Sequence, residues 1–378
     1  MGNQFRNTNN DGLSPLSFPA SQLAEASLRR TKSEDQTAEA MLTGLISFEE
    51  HFSIREFATL RRDYMERIQL PVREKPGGMS NVGQLLSDFA EIRIPEMDKY
   101  GIARQVIGSG SPGIQGLTDA DEAVRLAAYA NDYLAGMITR WPDRFSGYAA
   151  LPMQDPPAAA RELERAVTQL GLSGAMLHGH TNGLYMDDPS CWVVWERAAA
   201  LKVPIYIHPT DPIPGQWKIY DGYPELLSAA WNWGFETGTH ALRVILSGVF
   251  DEFPDASLII GHMGELIPFA LWRLENQYKQ QISGESLLEM PAGKRMIKQL
   301  PSYYVKNNLY ITTSGNFSVP ALQCAIDSIG ADRILFAVDY PFEKTAPAVE
   351  FIRQAPIPED RREAIMWRNG SRLLHLTE

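Results

Sequence analysis

Eight short apolar runs recur along this chain, most of them followed by a longer amphipathic stretch, and this rhythm limits the fold more than any single motif. The runs are Leu45–Phe48, Gln105–Ser109, Phe145–Leu151, Gly174–His178, Val203–His208, Ser257–His262, Leu309–Ser314 and Arg333–Asp339. Most are rich in Val, Ile and Leu without a polar face, the pattern of strands buried on both sides in a parallel sheet. The separators read as helices. Asp119–Arg140 carries Val124, Leu126, Ala127, Tyr129 and Leu134 on one broad apolar stripe. Pro157–Leu170 opens on prolines and stops before Gly171. Pro189–Leu201 has Asp188 as its N-cap, and Pro320–Ile329 and Asp360–Leu374 follow the same logic. Strand and helix alternating in this way predict an α/β fold, a (β/α)8 TIM barrel. A doubly wound open sheet is the structural alternative, but no Gly-rich phosphate turn follows the first run.

The barrel is expected over residues 44–378, roughly the right length for this architecture with insertions. A cap insertion is expected at about 53–96, where Arg61, Arg62, Pro71, Pro76, Gly77 and Gly78 interrupt any periodicity. A second insertion runs from Pro209 to Pro224. Residues 1–43 read as a flexible leader, polar and charged, with a short helix at Ser21–Arg30. Arg29-Arg30 is followed by polar residues and not by an apolar segment, so a secretory or twin-arginine signal is not expected.

Composition excludes several function classes. The net charge of -11 and the lack of a Lys/Arg-rich block argue against a nucleic-acid surface. No apolar run is long enough to span a membrane. Cys191 and Cys324 are the only cysteines, so neither a disulfide framework nor a thiolate metal site is expected, and a reducing cytoplasm is the default. Any metal must be held by histidines and carboxylates.

Candidate ligands fall where strands end. Glu49 and His51 are two residues apart, so on a strand both point to one face. His208 ends the fifth run, His262 the sixth and Asp339 the eighth. In a barrel of this class the carboxyl ends of the strands converge on the site. The expected metal ligands are Glu49, His51, His208 and Asp339, a nitrogen and oxygen set suited to Mn²⁺, Zn²⁺, Mg²⁺ or Fe²⁺. His262 lies in Gly261-His262-Met263-Gly264-Glu265, where Glu265 is near enough to orient it, which gives His262 an acid-base or supporting role. His178 and His180 either line the mouth or belong to a loop. His240 lies among helical apolar residues and reads as structural, and His375 lies at the C-terminus. Trp231, Trp233 and Phe235 read as packing, with Trp233 also placed to form an aromatic lid.

These residues sit in motifs that resemble a known family. Phe48-Glu49-Glu50-His51-Phe52 is similar to the first-strand motif of the amidohydrolase-related aromatic decarboxylases. Those relatives of aminocarboxymuconate semialdehyde decarboxylase include γ-resorcylate, 2,3-dihydroxybenzoate and 5-carboxyvanillate decarboxylases. The resemblance continues through Ser111–Gln115, Asn131-Asp132, Trp141–Phe145, Ala150–Pro156 and Val203–Pro209. It is strongest from Ile219–Gly222 through Gly261–Glu265 to Trp272-Arg273, and closes with Thr312–Phe317 and Asp339–Glu343. His178-Gly179-His180-Thr181 departs from the Asn-Gly-Phe of the resorcylate members and is nearer the carboxyvanillate type.

The resemblance implies one divalent metal ion per chain, Mn²⁺ first and Zn²⁺ or Mg²⁺ next, on Glu49, His51, His208 and Asp339, with no organic cofactor. It places His262 and Glu265 beside those ligands, Arg273 on the substrate and Trp233 against the substrate ring. It implies a small aromatic carboxylic acid as substrate and a homodimer or homotetramer. The expected reaction is non-oxidative decarboxylation of a hydroxybenzoate, with protonation of the carboxylate-bearing ring carbon by Asp339. That role requires Asp339 to hold a proton, which exclusion of water favours and a nearby cation opposes. A metal-dependent hydrolase of a lactone or amide is the alternative, with Asp339 as general base. A metal-stabilised binding protein without turnover is a third reading.

Overall fold

The computed structural model describes residues 44–69, 81–213, 215–286 and 288–376. The expected leader lies outside the described residues, as does the middle of the first insertion. Eight strands form where the apolar runs predict them. They are β1 (Leu45–Phe52), β2 (Ile102–Ser109), β3 (Phe145–Gly147), β4 (Ala175–His178), β5 (Ile205–His208), β6 (Leu258–Ile260), β7 (Leu309–Thr312) and β8 (Ile334–Leu335). All neighbours pair in parallel, as β1-β2-β3 and as β4-β5-β6-β7-β8. Parallel bridges Ala149↔Ala175 and Glu50↔Tyr340 join the two runs on either side, so the sheet closes into the expected (β/α)8 barrel.

The helices around it start on the residues that local chemistry favours. The first insertion supplies α1 (Arg55–Ile68), and α2 (Arg93–Tyr100) leads into β2. Then come α3 (Ala120–Arg140), α4 (Pro156–Thr168), α5 (Trp192–Leu201), α6 (Asn232–Ser247), α7 (Ile267–Ser283), α8 (Val319–Ile329) and α9 (Thr345–Gln354). Asp119 and Asp155 cap α3 and α4 by accepting the amides of Glu122 and Ala158. Asp188 instead caps a 3-10 turn, Pro189–Cys191, that precedes α5. The helix expected over Asp360–Leu374 is broken into Glu359–Glu363, a π segment at Ala364–Arg368, and Asn369–Leu373. The Ile365 carbonyl accepts the Phe336 amide, which ties this segment to the barrel instead of to its own regular ladder. No described helix is long and apolar enough to cross a membrane.

Two differences from the expected strands position the site. First, β6 and β8 stop early, so His262 and Asp339 stand on the loops beyond them. Both have left-handed backbone, φ 50° and 77°, which cannot continue a ladder. Second, β1 runs on through the charged residues, and its alternation breaks. Ile46 and Phe48 face the barrel interior with Val106, Tyr148, Met176, Tyr206, Ile259, Leu335 and Ala337. Strict alternation would then turn Glu49 and His51 outward. Instead Ser47 pairs with Gln105 and Glu50 with Ile107, so β1 takes three steps against two on β2. This bulge resets the phase and aims Glu49 and His51 inward.

His240 has the structural role its setting predicts. It is buried on α6, where its Nε2 accepts the Met186 amide at 2.9 Å, and burial pushes its pKa down to about 3. In the unfolded chain the same imidazole titrates near about 6.5. Its contribution is therefore fully present above about pH 6.5 and falls as the pH drops toward the folded value, because the unfolded state takes the proton first. His240→Gln, which keeps an acceptor without a titrating group, should flatten the fall of the urea midpoint between about pH 6.5 and 4. An unchanged slope would remove His240 from the acid response.

Candidate metal centre

Glu49 and His51 from β1, His208 at the end of β5 and Asp339 beyond β8 meet at one point. One ligating atom from each lies within 4.8 Å of the others. Glu49 Oε1 is 3.5 Å from His208 Nε2, and His51 Nε2 is 3.1 Å from Asp339 Oδ1.

Three of the four groups are oriented by a contact on the far side. Glu49 is fully buried, and its Oε2 accepts the hydroxyls of Tyr206, Ser314 and Thr312. Gly261 leaves room for this arrangement, since a Cβ there would lie 2.8 Å from Glu49 Oε2 and 3.1 Å from the Tyr206 hydroxyl. The His51 Nδ1–H donates to the Ser109 carbonyl at 3.1 Å, and the His208 Nδ1–H to the Pro209 carbonyl at 2.8 Å. Those bonds fix the tautomers and leave an Nε2 lone pair on each ring. Glu49 Oε1, His51 Nε2 and Asp339 Oδ1 are then buried without a hydrogen-bond partner. Buried acceptors without donors are costly, and three of them sharing one point fit a divalent cation. The donor set contains no sulfur, which suits Mn²⁺, Zn²⁺, Mg²⁺ or Fe²⁺.

His262 and Glu265 stand beside this cluster on the turn from Gly261 to Leu266. Every non-glycine residue from His262 to Leu266 has positive φ, so the chain coils tightly there. His262 Nδ1 is 2.7 Å from Glu265 Oε1. Its Nε2 lies 3.7 Å from Asp339 Oδ2 and 3.9 Å from Glu49 Oε1. Burial alone would lower the His262 pKa, but the charges of Glu49 and Glu265, the nearby Asp339 carboxylate and the bond to Glu265 raise it well above the ordinary value. Burial would raise the Asp339 pKa, but the neighbouring His262 and His51 rings hold it below the ordinary carboxylate range. These directions oppose a protonated Asp339, so burial alone does not give it the proton its expected role requires. Burial pushes His208 down to about 4, keeping a neutral ring for a metal.

With this geometry in place, comparison with known proteins is decisive. A family model described as amidohydrolase matches residues 65–376. The chain belongs to the amidohydrolase family. Within it, the chain falls among the amidohydrolase-related aromatic decarboxylases. It is 38% identical over 341 residues to the γ-resorcylate decarboxylase of Polaromonas sp. (strain JS666), covering 89% of this chain and 99% of that one. A dihydroxybenzoic acid decarboxylase structure from the same organism, with bound manganese and the inhibitor 2-nitroresorcinol, aligns with TM-score 0.79 and 38% identity. That alignment covers 89% of this chain and 98% of the other. A 5-carboxyvanillate decarboxylase from Novosphingobium aromaticivorans, with manganese and 4-hydroxy-3-methoxy-5-nitrobenzoic acid, aligns with TM-score 0.82 and 29% identity. It covers 89% of this chain and 97% of that chain.

Beside the amidohydrolase ligand cluster lies a cavity of about 260 Å³, lined by His262, Glu265, Trp233, Leu266 and Asn316 among others. An engineered cavity of about 150 Å³ holds benzene, so one substituted ring fits here. Trp233 lines this cavity, its indole N–H donating to Asp211 Oδ1 at 2.8 Å and its ring 6.3 Å from that of His208. Arg273 is not brought into the cluster: it is exposed on α7 and does not line the cavity. His178 is buried, its Nε2–H donating to the same Ser109 carbonyl that orients His51, at 2.9 Å. Burial holds its pKa well below the ordinary value, so it stays neutral. With His180 and Tyr64 it lines a second cavity of about 240 Å³.

The sequence reading missed Tyr206, Thr312 and Ser314, the hydroxyls that hold Glu49. A signal was present, because Tyr206 precedes His208 by two residues and so shares its face of β5. Gly261→Ala should crowd the Glu49 carboxylate out of its cradle. The expected result is loss of more than about half of the metal that the wild type retains after dialysis, because a misaligned supporting contact weakens the ligand it holds. Elemental analysis checks this, and full metal content in Gly261→Ala would contradict the cradle.

Proposed function

We propose that this amidohydrolase is a metal-dependent, non-oxidative decarboxylase of a hydroxybenzoate-type aromatic acid. One observation carries the reading. Three buried, unpartnered acceptor atoms share one point, and a histidine joined to Asp339 faces them beside a cavity of one-ring size. The relatives act on dihydroxybenzoates and 5-carboxyvanillate, which supports carbon protonation over hydrolysis of a lactone or amide. The manganese in two related structures supports Mn²⁺ on Glu49, His51, His208 and Asp339, ahead of Zn²⁺ or Mg²⁺. When bound, the ion supplies Lewis-acid polarisation of a substrate oxygen and a template for the ring.

The remaining work falls to side chains. Trp233 and Leu266 present a flat, apolar wall to the ring. Glu265 holds the His262 ring, whose Nε2 bears a proton 3.7 Å from Asp339 Oδ2. That proton passes to Asp339 Oδ2 and from there to the ring carbon that bears the carboxylate. The ring loses aromaticity for that step. The bond from that carbon to the carboxylate then breaks, its electron pair restores the aromatic ring, and CO2 leaves. Arg273, exposed on α7 in the single chain, is assigned to an anionic group of the substrate on the strength of the family resemblance.

Incubating the manganese-loaded protein with a panel of hydroxybenzoates in D2O tests the reading. A good substrate should yield CO2 and a phenol with deuterium at the carbon that held the carboxylate. A chelated sample should be inactive and recover on adding Mn²⁺. Asp339→Asn should lose about 10²–10⁴-fold in kcat, the range for a positioned acid. Arg273→Ala should mainly raise KM, as loss of uniform binding does. A ring-opened or hydrolysed product without ring deuterium would overturn the proposal in favour of a hydrolase.

We further infer a homo-oligomer, a dimer or a tetramer, located in the cytoplasm. Phe269 and Trp272 of α7 are 86% and 77% exposed, and Leu266, Trp231 and Phe235 extend that apolar surface from the cavity mouth. Apolar surface of this kind marks an interaction site. The free cysteines Cys191 and Cys324 suit a reducing compartment. We assign the barrel to residues 44–378 and the leader to 1–43. Light scattering should give the same dimer or tetramer for the full chain and for one beginning at Gly44, and a monomer in either case would contradict part of this assignment.

A further inference from the structure

Glu50 is the one acid of the first-strand motif that the proposed chemistry leaves without a task. The bulge in β1 turns it away from Glu49 and His51, to the outer face of the barrel, where it is fully buried. There it meets the backbone that carries Asp339. Its Oε2 accepts the Tyr340 amide at 2.9 Å, and its Oε1 accepts the Val338 amide at 3.2 Å and the Ser47 hydroxyl. The intervening amide, of Asp339 itself, goes to the Glu49 carbonyl at 2.9 Å.

Three consecutive amides thus face β1, which a regular ladder never permits, since successive N–H groups of a strand point to opposite sides. The positive φ of Asp339 produces this, and successive N–H groups curled in such a way form a concavity that binds an anion. A left-handed, non-glycine residue at a site persists only where its surroundings over-determine it. Here the Glu50 carboxylate occupies the concavity and fixes the residues on both sides of Asp339. Three further contacts lock the same corner. The His51 amide donates to the Tyr340 carbonyl at 2.8 Å. Arg93, fully buried, donates to the His51 carbonyl at 2.6 Å and lies over the Tyr340 ring at 4.6 Å.

We propose that Glu50 is a positioning residue for Asp339: its carboxylate, seated on the Val338 and Tyr340 amides, holds Asp339 in the conformation that both ligates the metal and faces His262. The inference rests on the decarboxylase reading for its kinetic consequence and on the site geometry alone for its spectroscopic one. A glutamine cannot replace Glu50, because its amide nitrogen would face one of the two N–H donors.

The test uses the full chain loaded with Mn²⁺, as wild type, Glu50→Gln and Ser47→Ala. Glu50→Gln should retain manganese near the wild-type stoichiometry and change the zero-field splitting of its Mn²⁺ electron paramagnetic resonance spectrum, as Asp339 shifts on the ion. Its kcat should fall about 10- to 100-fold with KM within about threefold, since displacement of a reacting group by about 1 Å costs up to 10²-fold. Ser47→Ala keeps the carboxylate but removes the hydroxyl that shares the Val338 amide, and should show the same split with a kcat loss of about threefold to tenfold. It decides the matter if Glu50→Gln does not fold. An unchanged spectrum with unchanged kcat would overturn the proposal, as would a kcat that falls only in step with manganese content. A wild type that releases no CO2 from any hydroxybenzoate would defeat the decarboxylase reading instead, and the spectra would still decide the role of Glu50.

Discussion

The Glu49 carboxylate is fully buried, and its two oxygens are in opposite circumstances. One receives three hydroxyls, from β5 and from β7 and the residues just past it, while the other has no partner. A buried charge is tolerated only when it is paired and hydrogen-bonded. The three hydroxyls supply half of that requirement and fix the group in place. The open oxygen, together with His51 Nε2 and Asp339 Oδ1, requires a positive charge at the point they share. The rest of the centre serves this demand. Gly261 gives the hydroxyls their space, and the Ser109 and Pro209 carbonyls turn the imidazole lone pairs toward the ion. His262 stands beside the same carboxylates, its ring held there by Glu265.

Much of this was legible in the sequence because period-2 and period-3.6 patterns are local. The parallel strands have no polar face, the helices open on Asp and Pro, and Glu49 and His51 share a face as their spacing requires. The four ligands could be gathered only by assuming that strand ends converge, and the barrel makes that assumption sound. What stayed hidden depends on departures from regular backbone. Reading the sixth and eighth runs as strand to their last residue makes His262 and Asp339 strand ends. In fact both sit on left-handed backbone beyond a shorter strand. The bulge in β1 was equally invisible, since nothing in Leu45–Phe52 distinguishes Phe48 and Glu49 facing inward together from an ordinary alternation. The break at Ala364–Arg368 came from a tertiary hydrogen bond to Phe336, which helical periodicity does not encode.

Arg273 marks a different limit. Its motif is intact, but in the single chain its guanidinium stays exposed on α7 beside Phe269 and Trp272. Two bulky apolar residues and a cation in one exposed stretch are poorly suited to water and well suited to being covered. A partner surface over α7 would also enclose the mouth of the cavity, because Leu266 and Trp231 belong to both. In the proposed oligomer, assembly and catalysis would then be coupled through the same residues, since water exclusion strengthens every charge interaction inside.

The two cavities beside the metal ligands differ in character. The one next to His178 is lined by His178, His180, Tyr64, Gln115 and Thr210, with Arg67 at its edge. Burial lowers the pKa of both imidazoles, and among the described residues no carboxylate lines that space. The cavity next to His262 has the reverse character. It offers the indole of Trp233, fixed by Asp211, as a wall, and the His262–Glu265 pair as the link to Asp339. Carbon protonation needs a flat apolar surface to seat the ring and a proton source within reach of one of its carbons. Only the His262 side has both. His178 shares the Ser109 carbonyl with His51, and on the proposed reading it would support the metal ligand from the rear while the ring sits on the His262 side.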